Sequence, residues 1–91
     1  MNEITGKLIV VKSTQKVTDS FQKREFVIET DEQYKQEIQL ELHQTYCDLI
    51  DSFQIGDNLK IQINVKGRRF EKPLEDPKWF NVLQAWKIEK Q

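Results

Sequence analysis

The chain has 91 residues, 37% of them hydrophobic, nine of them aromatic and 32% charged, which is too apolar for a disordered chain and too short for more than one core. No apolar run nears the roughly 18 residues of a membrane span, and the opening Met-Asn-Glu-Ile lacks the basic-then-apolar start of a signal peptide, so a cytoplasmic protein without membrane contact is expected. The net charge of −1 hides a separation into +3 over residues 1–24, −8 over 25–58 and +4 over 59–91.

In chain order, Ile4, Leu8 and Val10 share one parity of a first strand over 3–12, with Gly6 completing the series. Glycine inside a strand marks a bulge or sharp bend, as needed where one strand serves two sheets of a closed barrel. "STQKVTDS" has no periodicity and reads as a loop. The second strand, 21–30, puts Phe26 and Ile28 on one face. The third, 36–43, turns Ile38, Leu40 and Leu42 inward and Glu37, Gln39, Glu41 and His43 outward.

At Thr45 the period changes. Tyr46, Leu49, Ile50 and Phe53 form the i, i+3, i+4, i+7 stripe of a short α-helix, with Thr45 and Asp48 as its capping box and Gly56 as its stop. The fourth strand, Asn58 to Phe70, alternates Leu59, Ile61, Ile63 and Val65 with polar residues. The fifth, Trp79 to Glu89, is apolar on both parities, with Phe80, Val82, Trp86 and Ile88 on one and Leu83 and Ala85 on the other, so its register stays open.

Three strands, one short helix and two strands is the order of a mostly β, five-stranded OB-fold barrel occupying residues 1–91 as a single domain. Its ligand cleft lies between the loops joining strands one and two and strands four and five, which are the two basic segments. Between strands four and five the chain spends about ten residues, around Pro73 and Pro77, that cannot continue a ladder. Loops of that length are often functional.

The chemistry of these segments is that of a binding protein. His43 and Cys47 are one pair where structural zinc needs four ligands, so no metal and no cofactor is expected, and the lone Cys47 reads as a structural thiol. No Ser/His/Asp set or phosphate-cradling glycine loop is present, so the chain is read as a non-enzyme without catalytic residues. For nucleic acid, Lys66, Arg68, Arg69, Lys72 and Lys78 flank one side of the cleft and Lys12, Lys16, Lys23 and Arg24 the other. Phe21, Tyr34, Phe70 and Trp79 offer flat partners for unpaired bases. This set suits a single strand, since a duplex reader would need an exposed basic helix. Against it, the outward parity of the second and third strands carries Glu25, Glu29, Glu37 and Glu41.

"REFVIETDEQY" at 24–34, "IGDNLKIQINVKGR" at 55–68 and "WFNVLQAWKIE" at 79–89 resemble a bacterial and phage family of small one-domain proteins of unknown function, similar in fold to OB single-strand DNA-binding proteins. Relatives tend to have a shorter connection at "EKPLEDPK" and often an aromatic near His43. The resemblance implies the OB fold and, by relation, DNA binding. The expectation is a cytoplasmic protein, in the host cytoplasm if phage-encoded, that binds single-stranded DNA with little sequence preference in replication, recombination or repair. RNA is the other strand of the same chemistry, and self-assembly into a homo-oligomer would add avidity. The competing reading is a protein-interaction OB module that docks a partner by an edge strand or its acidic face.

Overall fold

A computed structural model describes residues 2–91, which form six strands and one 3₁₀ helix: β1 Asn2–Val11, β2 Gln15–Thr18, β3 Phe21–Glu29, β4 Glu37–His43, the helix Gln44–Ser52, β5 Asn58–Phe70 and β6 Lys78–Lys90. The sheet order is β1-β5-β6-β4-β3-β2, and an added β1–β3 pairing closes it into a barrel. This is the expected OB architecture. Among the described residues β4 and β6 meet in the one parallel contact, Glu41 opposite Gln84, and the other strand pairs are antiparallel.

Closure depends on β1 changing partners. Residues 2–7 pair with β5 and residues 7–11 with β3, so the strand bends where Gly6 stands. A Cβ there would lie 2.7 Å from the Glu29 carbonyl oxygen and 3.0 Å from Ile28 Cδ1, distances that no side chain tolerates without moving backbone. The glycine is required by close approach, as its place in the strand pattern suggested.

A bulge between Leu8 and Val10 then inverts the alternation. Leu8 is fully buried, whereas Val10, expected inward, is 40% exposed and Val11 packs against the core in its place. The bulged strand carries one extra residue, so the parity count fails beyond it. The remaining interior is as expected from the alternation: Phe26, Ile28, Leu40, Leu42, Leu59, Ile61 and Ile63, with Ala85 from β6.

Two further expectations are corrected. "STQKVTDS" is not all loop: Gln15–Thr18 forms β2, a hairpin with β3. All four of its residues are exposed, so no buried face imposed the alternation by which a strand is recognised. The helix is 3₁₀ rather than α, its N-cap is His43, and no side-chain cap is made. Cys47 and Ile50 are its buried residues, three apart as the tighter helix requires, so Tyr46 turns out to 46% exposure. Gln44 enters the helix at φ 55, held by hydrogen bonds from its amide to the Ser20 carbonyl at 2.9 Å and from Gln22 Nε2 to its own carbonyl at 3.0 Å. Gly56, at φ 99, serves the turn into β5 rather than the helix end, which is closed by Phe53 N–H donating to the Ile50 carbonyl.

Candidate nucleic-acid interface

The interruption expected between the fourth and fifth strands is found, over seven residues rather than about ten, and the strands on either side pair right up to it. β5 and β6 run on past the barrel as a two-stranded arm, in which Lys66 faces Val82, Arg68 faces Phe80, Arg69 faces Trp79 and Phe70 faces Lys78. Residues Glu71–Pro77 alone lie outside the ladder. The two prolines bracket the interruption more tightly than the composition suggested, because Lys78, Trp79 and Phe80 retain amide donors and are free to pair.

Directly opposed residues share a face, so the register sorts the arm into two sides. Its front, continuous with the barrel's outer surface, carries Lys66, Arg68, Phe70, Lys78, Phe80 and Val82. Its back, continuous with the barrel's inward parity, carries Val65, Gly67, Arg69, Trp79, Asn81 and Leu83. The barrel ends before the arm does, which leaves Val65 58% and Trp79 63% exposed.

On the front, Phe70 and Phe80 meet edge to face at 6.4 Å between centroids, and Lys72 Nζ lies 5.5 Å from the Phe70 ring centre. Below them Lys66, Arg68, Phe80, Val82 and Gln84 line a groove of about 460 Å3 whose far wall is His43 of β4. His43 in turn meets Phe21 edge to face at 5.0 Å. Phe21 shares a surface hollow with Lys16 of the β2–β3 hairpin. The two basic segments are thus joined by an aromatic path, Phe80 to His43 to Phe21.

Among the described residues, three of the four carboxylates expected on the outer barrel face, all but Glu37, have a basic side chain beside them. Glu25 is met by Lys12 at 3.5 Å and Lys23 at 3.8 Å, Glu41 by His43 at 2.9 Å and Lys23 at 4.0 Å, and Glu29 by Lys35 at 3.6 Å. Such pairs contribute little stability at a surface. Their consequence is electrostatic, because Glu25 and Glu41 no longer confront a phosphate as bare charges.

Of the sequence-predicted residues, Lys66, Arg68, Phe70, Lys72 and Lys78 gather on the front and tip of the arm, Lys12 and Lys23 lie on the adjoining barrel face, and Lys16 and Phe21 on the hairpin. Four lie elsewhere. Arg24 has inward parity: its Nε donates to the Lys12 carbonyl at 2.8 Å and its Nη1 to the Cys47 carbonyl at 3.2 Å and to Asp51 at 2.8 Å, so it ties the helix to the barrel. Tyr34, 76% exposed, sits in the turn at the other end of the β3–β4 hairpin from His43. Arg69 and Trp79 occupy the back of the arm, Arg69 beside Glu71 at 3.4 Å.

Sequence reasoning missed Phe80, Gln84 and His43. The sequence leaves the register of the fifth strand open, with Phe80 on the parity of Trp86 and Ile88; in the structure the register slips between Gln62 and Ile63, so that Lys87 and then Ala85 are opposed, Trp86 is the extra residue and Phe80 comes to the front. Upstream of that bulge the odd residues Leu83 and Ala85 face the core, and downstream Ile88 does. The doubled apolar parity of the fifth strand was the signal of a bulge. Cys47 is buried and donates to the Leu42 carbonyl at 3.3 Å. Burial, aided by Asp48, pushes its thiol above the ordinary range, which makes it a poor nucleophile. Among the described residues no group of three or more His, Cys, Asp or Glu is placed to hold a metal, and no helix is long and apolar enough to cross a membrane.

Solved structures similar in fold include two that superpose over nearly the whole chain. The mitochondrial single-stranded DNA binding protein Rim1 of S. cerevisiae superposes with a TM-score of 0.71 at 10% identity, over 98% of this chain and 91% of that one. The dimeric structure of the N-terminal domain of PriB from Thermoanaerobacter tencongensis gives 0.62 at 14% identity, over 99% and 93%. No curated protein matches the sequence. Residues 3–89 match the model of a family described as a domain of unknown function, DUF3127.

Proposed function

The chain belongs to the DUF3127 family, and we propose that it binds single-stranded DNA, with RNA as the alternative strand, along the front of the arm and across His43 to the β2–β3 hairpin. The observation that carries this reading is the cross-strand series Lys66/Val82, Arg68/Phe80 and Phe70/Lys78. It alternates cations with exposed rings on one side of a ribbon, as a strand of phosphates and unstacked bases requires. Phosphates and base faces are common to all four nucleotides, so most of the path reads no sequence. The likeness to Rim1 and PriB supports the fold on which the reading rests. In this reading the protein works in the cytoplasm, as a non-enzymatic component of replication, recombination or repair.

Fluorescence anisotropy with labelled oligonucleotides at several salt concentrations tests it. Neutralising about three to five phosphates gives a slope of log K against log salt of roughly −2 to −3.5, from about −0.7 per contact. Duplex of the same length, with its base faces stacked away, binds more weakly. A slope near zero, or equal affinity for duplex and single strand, removes the reading.

A second reading concerns protein partners, and the exposed back of the arm favours it. Val65 and Trp79 present apolar surface there that a second copy would cover while leaving the front open. Light scattering across a concentration series, with Trp79→Ser as the control, tests this assembly.

A further inference from the structure

The tip of the arm is built differently from its shaft. Glu75 N–H donates to the Lys72 carbonyl at 3.3 Å, closing a turn with Pro73 and Leu74 at its centre. Leu74 has φ 66 and is fully exposed; that position of a turn normally takes glycine or asparagine. The turn brings Glu75 and Asp76 over the front face. There they line, with Phe70, Lys72, Lys78 and Phe80, a hollow of about 170 Å3. The arm's ion pair is Arg69 with Glu71; among the described residues Glu75 and Asp76 have no such partner. Two unmatched carboxylates therefore stand at the rim of a hollow walled by two aromatic rings, inside a surface otherwise suited to phosphate.

An electrostatic groove alone gives no reason for carboxylates in that position, since they repel the backbone. Beside a stacked base they have a chemistry of their own. A carboxylate accepts hydrogen bonds and cannot donate them, so it distinguishes base edges: cytosine presents its N4 amino group, whereas thymine presents the O4 acceptor at the equivalent place. The two lysines complement this by donating to ring acceptors or to the flanking phosphate. We infer that the arm tip is a base-reading pocket selecting nucleobases with an exocyclic amino group over thymine, with Glu75 and Asp76 as its specificity-determining residues. This rests on the single-strand reading above and adds one selective position to a path that otherwise accepts any base.

The comparison of dC with dT oligonucleotides of equal length isolates the edge, because both rings are pyrimidines and stack on similar area. At low salt and mildly alkaline pH, where dC strands stay unpaired, the protein is expected to prefer dC by about fivefold to tenfold, the lower range for one good edge contact. In Glu75→Ala with Asp76→Ala the preference collapses: removing two negative charges raises affinity for dT while loss of the acceptors lowers it for dC. The ratio of the two affinities on one preparation is independent of the folded fraction. A wild-type ratio near one, or affinities for dC and dT that rise together in the variant, overturns the pocket and leaves the single-strand reading intact. Failure to bind either oligonucleotide overturns both.

Discussion

Exchange of Phe80 for alanine separates the two sides of the arm most sharply. Phe80 is 57% exposed, so its burial contributes well under the 1.5 to 3 kcal/mol of a fully buried ring, and its edge contact with Phe70 adds about 0.5 kcal/mol or more. Phe80→Ala should therefore destabilise the fold by about 1 kcal/mol, a fall of roughly 4 to 8 °C in Tm. Its effect on a bound strand is larger. A base stacked on an aromatic ring contributes about 1 to 3 kcal/mol, so affinity for a single-stranded oligonucleotide should drop by about fivefold to more than a hundredfold. Trp79, one residue away and more exposed, faces the back with Arg69; Trp79→Ala should change affinity by less than about twofold at constant oligomeric state. The assay is anisotropy titration of both variants beside their thermal melts. If Trp79→Ala weakens binding as much as Phe80→Ala, or Phe80→Ala binds normally, the assignment of the front face is wrong.

Arg24→Ala should cost about 1.5 to 3 kcal/mol in urea denaturation, because it removes a charged donor from two carbonyls and Asp51, and the folded fraction should bind oligonucleotide normally. Lost binding with unchanged stability would return Arg24 to the interface. Gly6→Ala should destabilise by about 1 to 3 kcal/mol, the cost of forcing a methyl group against the Glu29 carbonyl; an unchanged denaturation midpoint would show that β1 does not close as tightly as described.

Strand identity was legible wherever one face of a strand is buried along its whole length. Leu59, Ile61 and Ile63 on β5 and Leu40 and Leu42 on β4 alternate as written because the core imposes the period of two. Failures occurred where that condition lapses. β2 buries no face and left no pattern. Val10 was turned to the wrong side by a single extra residue near Leu8, and another at Trp86 kept the side of Phe80 open; nothing in a local window announces a bulge except the doubled apolar parity it leaves behind. Val65 keeps the inward parity but lies past the end of the barrel, a tertiary fact with no local trace. The charge separation placed the two basic segments on one side of the molecule correctly. It did not reveal that Lys12 meets Glu25 and Lys23 meets Glu41, since those contacts cross strands distant in sequence. Arg24 looked like its surface neighbour Lys23 because composition carries no parity.

The exchange of partners along β1 also sets an order of events during folding. Its first half pairs with β5, Asn2 opposite Ile63, and its second half with β3, Lys7 opposite Glu29, so the two halves close loops of very different length. The β3–β4 and β5–β6 hairpins form from neighbouring segments and need neither half. On a ribosome adding about 5 to 20 residues per second, the β5 partner of Asn2 emerges about 60 residues, hence roughly 3 to 12 s, after it. Once β3 has followed, and until β5 does, β1 has β3 to cover Leu8 and nothing to cover Ile4, and its open edge is the segment most exposed to pairing with another nascent chain. Lys7 and Glu3, charges set on that strand at the edge, are the kind of residue that discourages it.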